Sequence, residues 1–187
     1  MMQKLWQKKL KLNYNQEVID IIQFGSSLID GKEPNDIDIA LIYNRIPIKE
    51  QLEESQKIKQ QLEKSSEKPI HINSYDLYSF FEESNFAKES ILFYGKSILK
   101  NDNFAKILGF YPKIQIEYSL ENLKKKDKIR FNYMLSGKKG KYGLLRAHNG
   151  KLLNPGLIEI EPEFEETFVN AIKEFNISFK IRKALIL

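Results

Sequence analysis

Two aspartates, Asp36 and Asp38, lie two residues apart in an apolar segment of the chain. Ile37 and residues 39–42 around them predict a β-strand, in which residues i and i+2 point to the same face of the sheet. Two neighbouring carboxylates repel each other unless a cation lies between them, and Mg²⁺ prefers oxygen ligands of this kind. A solvent-facing strand edge with two ordinary acids would show the same spacing, so the residues that precede the pair decide between the two interpretations.

A glycine–serine pair, Gly25–Ser26, precedes the aspartates and follows an apolar segment over residues 18–24 that predicts another strand. Glycine allows a ligand to approach the backbone closely. A short helix beginning at Ser26 and Ser27 would direct its N-terminal amides at an anion. Residues 30–35 are rich in turn-forming types and connect this segment to the aspartate strand. The arrangement predicts a phosphate-binding turn beside a cation site.

Together these residues resemble the signature of the nucleotidyltransferase superfamily of DNA polymerase β type. That signature is an apolar residue, a Gly-Ser or Gly-Gly pair, a short spacer, and two aspartates that alternate with apolar residues. Here it reads Phe24-Gly25-Ser26, nine residues, and Asp36-Ile37-Asp38-Ile39. The chain is similar to the small members of the superfamily, the minimal nucleotidyltransferases, over roughly its first hundred residues.

The resemblance implies an enzyme that transfers a nucleoside monophosphate from an NTP to a hydroxyl of RNA or protein and releases pyrophosphate. Asp36 and Asp38 match the catalytic residues that bind Mg²⁺ or Mn²⁺. Gly25 and Ser26, followed by Ser27, match the turn that holds the nucleotide phosphates. Such sites stabilise the attacking and leaving oxygens of a phosphoryl transfer by positioning and charge neutralisation.

The third carboxylate of the family's metal site has no direct match in this chain. Minimal members carry it on the next strand, a few residues before a strand-ending tyrosine, and counting back from Tyr75 gives His71. Histidine can bind a metal but adds no negative charge, and it can equally be a packing or hydrogen-bonding residue. Glu117 is a second candidate, whereas Asp76 is expected to cap a helix. Without a third acid, the alternative is a binding module of the same fold, which binds RNA or acts as the antitoxin-like partner of a small helical protein.

Composition limits the class and the compartment of the protein. The chain has 187 residues, of which 42% are hydrophobic and 29% are charged, as in proteins with a substantial core. No apolar run approaches the roughly 20 residues of a membrane span, and the charged N-terminus does not resemble a secretory signal. Cysteine is absent, which excludes disulfides and thiolate metal sites. We expect a cytoplasmic protein without a membrane partner, and the sequence leaves its oligomeric state open.

A basic segment over residues 124–151 contains ten basic residues and one acid, Asp127, whereas the net charge of the whole chain is only +5. Phe131, Tyr133 and Tyr142 alternate with these bases, which is typical of surfaces that contact nucleic acid or nucleotide phosphate. Solvated lysines and core aromatic residues would give the same composition. The residues predicted to make the contact are Lys124, Lys125, Lys126, Arg130, Lys138, Lys139 and Lys141.

The order of predicted elements is that of an α/β (α+β) protein. The elements are an amphipathic helix over residues 3–13, strands over 18–24, 37–43 and 70–75, helices over 48–64 and from 76 onward, and then a second set of strands and helices. This order agrees with the polymerase-β-like nucleotidyltransferase core, a mixed sheet flanked by helices. With a boundary at Pro112, residues 1–111 form the nucleotidyltransferase domain and residues 112–187 form a small basic α+β region of unknown role.

Overall fold

The computed structural model describes residues 4–29, 33–138 and 141–187. The chain divides into two compact units, Met1–Gly109 and Phe110–Leu187, and each has a four-stranded sheet. The α+β class is therefore confirmed. The second unit begins slightly before Pro112, because Tyr111 already pairs with Ile186 in its sheet. Within the described ranges, no helix combines the length and the apolar character needed to cross a membrane.

A mixed sheet forms the centre of the first unit. Its strands are β1 (Val18–Phe24), β2 (Ile37–Tyr43), β3 (Ile70–Asp76) and β4 (Lys96–Ser97), in the order β3-β2-β1-β4. β2 is antiparallel to β1 and parallel to β3, while β4 pairs antiparallel with β1. β2 is central and almost wholly buried, as its continuous apolar run predicts for a strand covered on both faces.

Helices cover both faces of this sheet. They are α1 (Ile48–Glu63), α2 (Leu77–Phe81), α3 (Lys88–Tyr94) and α4 (Phe104–Ile107). Ile58 and Leu62 of α1 pack with the odd-numbered residues of β2 in one core cluster. Phe80, Ile91 and Phe104 pack with its even-numbered apolar residues in a second cluster. Because both cores hold β2 rigidly, the residues at its ends have fixed positions.

The predicted amphipathic helix over residues 3–13 is wrong. A short 3-10 helix at Leu5–Gln7 is the helical part of the described segment, and the chain then runs on without helical structure. Side chains elsewhere accept the backbone hydrogen bonds: the Trp6 amide donates to Gln23 Oε1 at 3.3 Å and the Asn13 amide to Gln61 Oε1 at 2.7 Å. Tertiary hydrogen bonds and the burial of Leu5 thus replace the helix that the local pattern favours.

The second unit is built on an antiparallel sheet. Its strands are β5 (Tyr111–Tyr118), β6 (Lys151–Asn154), β7 (Leu157–Ile160) and β8 (Phe179–Ile186), in the order β6-β7-β5-β8, and its helices are α5 (Lys125–Ser136), α6 (Leu144–Ala147) and α7 (Glu165–Lys173). Ile114, Ile116 and Tyr118 alternate as the buried residues of β5. The rings of Tyr118 and Phe131 lie 5.1 Å apart, so α5 packs against the buried face of the sheet.

Candidate metal and nucleotide site

Asp36, Asp38 and His71 come together at one end of the first sheet. Asp36 immediately precedes β2, Asp38 is its second residue, and the parallel register pairs Asp38 with His71 of β3. One ligand atom from each of the three residues lies within 4.8 Å of the others. His71 Nδ1 is 3.2 Å from Asp36 Oδ2. In the described part of the chain, these three residues form the group that could hold a metal ion.

The cluster is open to solution on the side of His71. The His71 side chain is 60% exposed and that of Asp36 is 32% exposed, and Asp38 is also partly buried. Burial raises the pKa of Asp38, the nearby negative charge of Asp36 raises it further, and His71 opposes both effects. A divalent cation would relieve this repulsion. Two carboxylates and one imidazole fit such an ion, because oxygen and nitrogen donors of this kind bind divalent metals.

Gly25 lies directly against the Asp38 carboxylate. Strand β1 ends at Phe24, which pairs with Asp38 across the antiparallel register. Gly25 then has a φ of +75°, which glycine adopts without the steric cost of a side chain. A Cβ at this position would lie 2.5 Å from Asp38 Oδ2. Both the backbone conformation and the contact with Asp38 therefore require glycine here.

The two serines that follow Gly25 point in different directions. Gly25–Leu28 forms a 3-10 helix, as expected for a short helix starting near Ser26, and successive residues of this helix diverge by a third of a turn. Ser26 is exposed beside the cluster, whereas Ser27 is fully buried. The Ser27 hydroxyl accepts a hydrogen bond from Gln23 Nε2 at 3.0 Å and donates one to the Phe24 carbonyl at 3.2 Å. The Ser27 hydroxyl therefore holds the turn in place, and nucleotide binding by Ser27 stays a prediction.

The other acids considered for the third ligand position have different partners. Glu117 belongs to β5 in the second unit, where Arg182 Nη2 donates to its Oε2 at 3.0 Å. Asp76 caps α2: its Oδ1 accepts from the Ser79 amide at 2.8 Å, and Ser79 Oγ accepts from the Asp76 amide at 3.0 Å. The capping function of Asp76 is confirmed. His71 is the remaining candidate, and the parallel register places it beside Asp38.

Sequence reasoning missed the buried acid Asp20 on β1. Ser97 Oγ donates to Asp20 Oδ1 at 2.6 Å and the Ile21 amide donates to the same oxygen at 2.8 Å. Burial raises the pKa of Asp20, and the Ser97 hydrogen bond lowers it. A charged residue in the middle of the apolar run of β1 was the signal that could have identified it. Asp20 ties β1 to β4 and thereby fixes the strand that leads into Gly25.

The basic residues predicted to contact nucleic acid lie in the second unit. Lys124 precedes α5, and the exposed side chains of Lys125, Lys126 and Arg130 lie along the helix. Lys138 and Lys141 follow it and are also exposed, while Lys139 falls outside the described residues, as do residues 30–32 of the predicted turn. These basic residues are a separate feature of the second unit, and the metal cluster belongs to the first.

No protein-family model, curated protein or solved structure matches this chain. The residues of the site are therefore what supports a function. They define a mixed-sheet α+β unit in which two carboxylates and an imidazole converge next to a glycine turn.

Proposed function

We propose that the protein is a metal-dependent nucleotidyltransferase with a polymerase-β-like core, which transfers a nucleoside monophosphate from an NTP to a hydroxyl of RNA or of a protein. The observation that supports this proposal best is the convergence of Asp36, Asp38 and His71 within 4.8 Å, directly beside the turn at Gly25. Carboxylates at a glycine turn are the combination needed to hold a cation and a polyphosphate together.

Each of these residues has a distinct function in the proposed reaction. Asp36 and Asp38 supply the negative charge and oxygen donors that hold Mg²⁺ or Mn²⁺, and His71 supplies a nitrogen donor. The bound ion would neutralise the triphosphate and stabilise the charge on the attacking and leaving oxygens. Gly25 leaves room at the backbone for the phosphates, and the exposed Ser26 hydroxyl can donate a hydrogen bond to them.

The proposed transfer balances without any further reactant. The hydroxyl oxygen of the acceptor attacks the α-phosphorus of the NTP and loses its proton to water. The bond from that phosphorus to the bridging oxygen breaks, and pyrophosphate leaves. Asp36 and Asp38 can hold the reactants in place for this step because β2 is packed on both faces. Positioning and charge neutralisation account for most of the catalysis in this class of reaction.

Nucleotide labelling tests the proposal. The full chain is incubated with Mg²⁺ or Mn²⁺, each of the four NTPs, and a set of RNA and protein acceptors. We expect label to be transferred from an α-labelled NTP and not from a γ-labelled one, with release of pyrophosphate, and Asp36→Asn to abolish the transfer. Transfer of γ-label would indicate a kinase, and transfer that survives in Asp36→Asn would contradict the assignment of the site.

A catalytically weakened binding module is the second candidate. It is favoured by His71, which adds no negative charge at the third ligand position and whose Nδ1 lies 3.2 Å from Asp36 Oδ2. Such a protein would bind metal and NTP, RNA or a small helical partner without turnover. Metal-dependent NTP binding by calorimetry, with no label transfer to any acceptor, is the result that would favour this candidate.

A further inference from the structure

The second unit has an exposed basic face that the proposed transfer chemistry does not use. We propose that this face, termed here the α5 surface and formed by Lys125, Lys126, Arg130, Tyr133, Lys141 and Tyr142, binds single-stranded nucleic acid. An RNA acceptor in the proposed function would use such a surface and a protein acceptor would not. Oligonucleotide binding and label transfer are separate measurements, so either proposal can fail while the other holds.

The packing of α5 determines which of its residues face solvent. Phe131 and Leu135 are buried, and the Phe131 ring lies 5.4 Å from that of Phe175. Lys126, Arg130 and Tyr133 are exposed and follow one another at helical spacings of four and three residues, so they form a single stripe. The stripe therefore carries two positive charges followed by an aromatic ring.

The segment after α5 folds back onto the end of the helix. Gly137 and Gly143 have φ values of +75° and +121°. A Cβ at Gly137 would overlap the Tyr142 carbonyl, and a Cβ at Gly143 would lie 2.5 Å from the Gly137 nitrogen. This close return keeps Tyr142 and the adjacent Lys141 next to the last turn of α5. The α5 surface therefore continues from the helix onto the described part of this segment.

Charge complementarity identifies a polyanion as the ligand. From Lys124 to Lys141, Asp127 is the single acid in the sequence, and its Oδ1 already accepts from Arg130 Nη1 at 3.4 Å. The Arg130 guanidinium also lies 6.0 Å from the centre of the Phe175 ring, a contact that orients it along the surface. The positive charge of this surface complements the negative charge of a phosphate backbone.

The tyrosines favour single-stranded nucleic acid over a membrane or a duplex. Tyr133 is 42% exposed and Tyr142 is 53% exposed, so both rings can stack on unpaired bases. A duplex hides the faces of its bases, and recognition of double-stranded RNA uses the backbone instead. A helix that binds membranes presents a broad apolar face to the lipid, whereas Phe131 and Leu135 of α5 are buried and Ile129 is its one large aliphatic residue counted as exposed.

Fluorescence anisotropy of the full chain with labelled oligouridylate and oligodeoxythymidylate tests the proposal and separates RNA from DNA. We expect binding that weakens steeply with salt, with the slope of log K against log[salt] near −0.7 per phosphate neutralised. The double variant Lys126→Ala/Arg130→Ala should bind about tenfold more weakly with a smaller salt slope. Tyr133→Ala should bind about tenfold more weakly with the slope unchanged, since stacking carries no charge.

Lys151→Ala/Lys180→Ala is the matched control, because it removes two exposed cations from the same unit. These lysines pair with Glu159 and Glu117, which point away from the buried face of the sheet that α5 covers. Circular dichroism checks that each variant folds. If the double variant does not fold, Tyr133→Ala still tests the proposal. An equal loss of affinity in the control pair would overturn the proposal. So would salt-independent binding, preference for duplex RNA, or binding to phosphatidylserine vesicles in place of the oligonucleotides.

Discussion

Replacing Asp38 with asparagine should abolish metal-dependent NTP binding without unfolding the protein. Asparagine keeps the shape of the side chain but removes the negative charge that the metal requires, so the Kd should rise about a hundredfold or more. The melting temperature of the metal-free protein should stay the same or rise. Burial and the charge of Asp36 raise the pKa of Asp38 in the folded state, which means that folding disfavours its ionised form at neutral pH.

Calorimetry with Mn²⁺ and a non-hydrolysable NTP measures the affinity, and thermal denaturation measures the stability. Glu50→Gln is the control, because it removes one negative charge from an exposed position on α1 and should leave the Kd unchanged. If Asp38→Asn binds metal and NTP with the wild-type affinity, the metal site lies elsewhere. A fall in affinity accompanied by global unfolding would show that Asp38 supports the fold instead.

Gly25→Ala should disrupt both the turn and the cluster. Alanine at a φ of +75° introduces backbone strain, for which we expect a loss of about 1–2 kcal/mol in the free energy of unfolding. The new Cβ would also lie 2.5 Å from Asp38 Oδ2, so the carboxylate must move. We therefore expect metal affinity to fall at least about tenfold, because ligand position governs metal binding.

Gly109→Ala separates these two effects. Gly109 has a φ of +85°, but a Cβ there would have no heavy atom within 4 Å. This variant should lose stability by a similar amount and keep its affinity for metal and nucleotide. If Gly25→Ala also keeps its affinity, the close contact between Gly25 and Asp38 is irrelevant to the site, and glycine serves only the turn.

Features determined by local sequence were predictable. The apolar runs gave the bounds of β1 and β2 because each is long, buried on both faces and ended by turn-forming residues. The helix cap at Asp76 was equally predictable, since Asp76 and Ser79 exchange hydrogen bonds within a single helical turn. The spacing of Asp36, just before β2, and Asp38, within it, was sufficient to place both carboxylates together.

Features determined by tertiary contacts were not predictable. The parallel register that pairs His71 with Asp38 depends on packing against both core clusters. The inward direction of Ser27 depends on Gln23, which also accepts a hydrogen bond from the Trp6 amide. These hydrogen bonds join segments that local patterns treat separately, so the sequence could suggest a metal site without showing which of its neighbours complete it.

A crystal structure of the full chain with Mn²⁺ and a non-hydrolysable NTP would test the central claim most directly, using the anomalous signal of manganese to locate the ion. We expect a manganese peak bound by Asp36, Asp38 and His71, with the triphosphate against Gly25 and Ser26. Manganese at saturating concentration bound away from these three side chains, or a nucleotide bound away from the glycine turn, would contradict the proposed site.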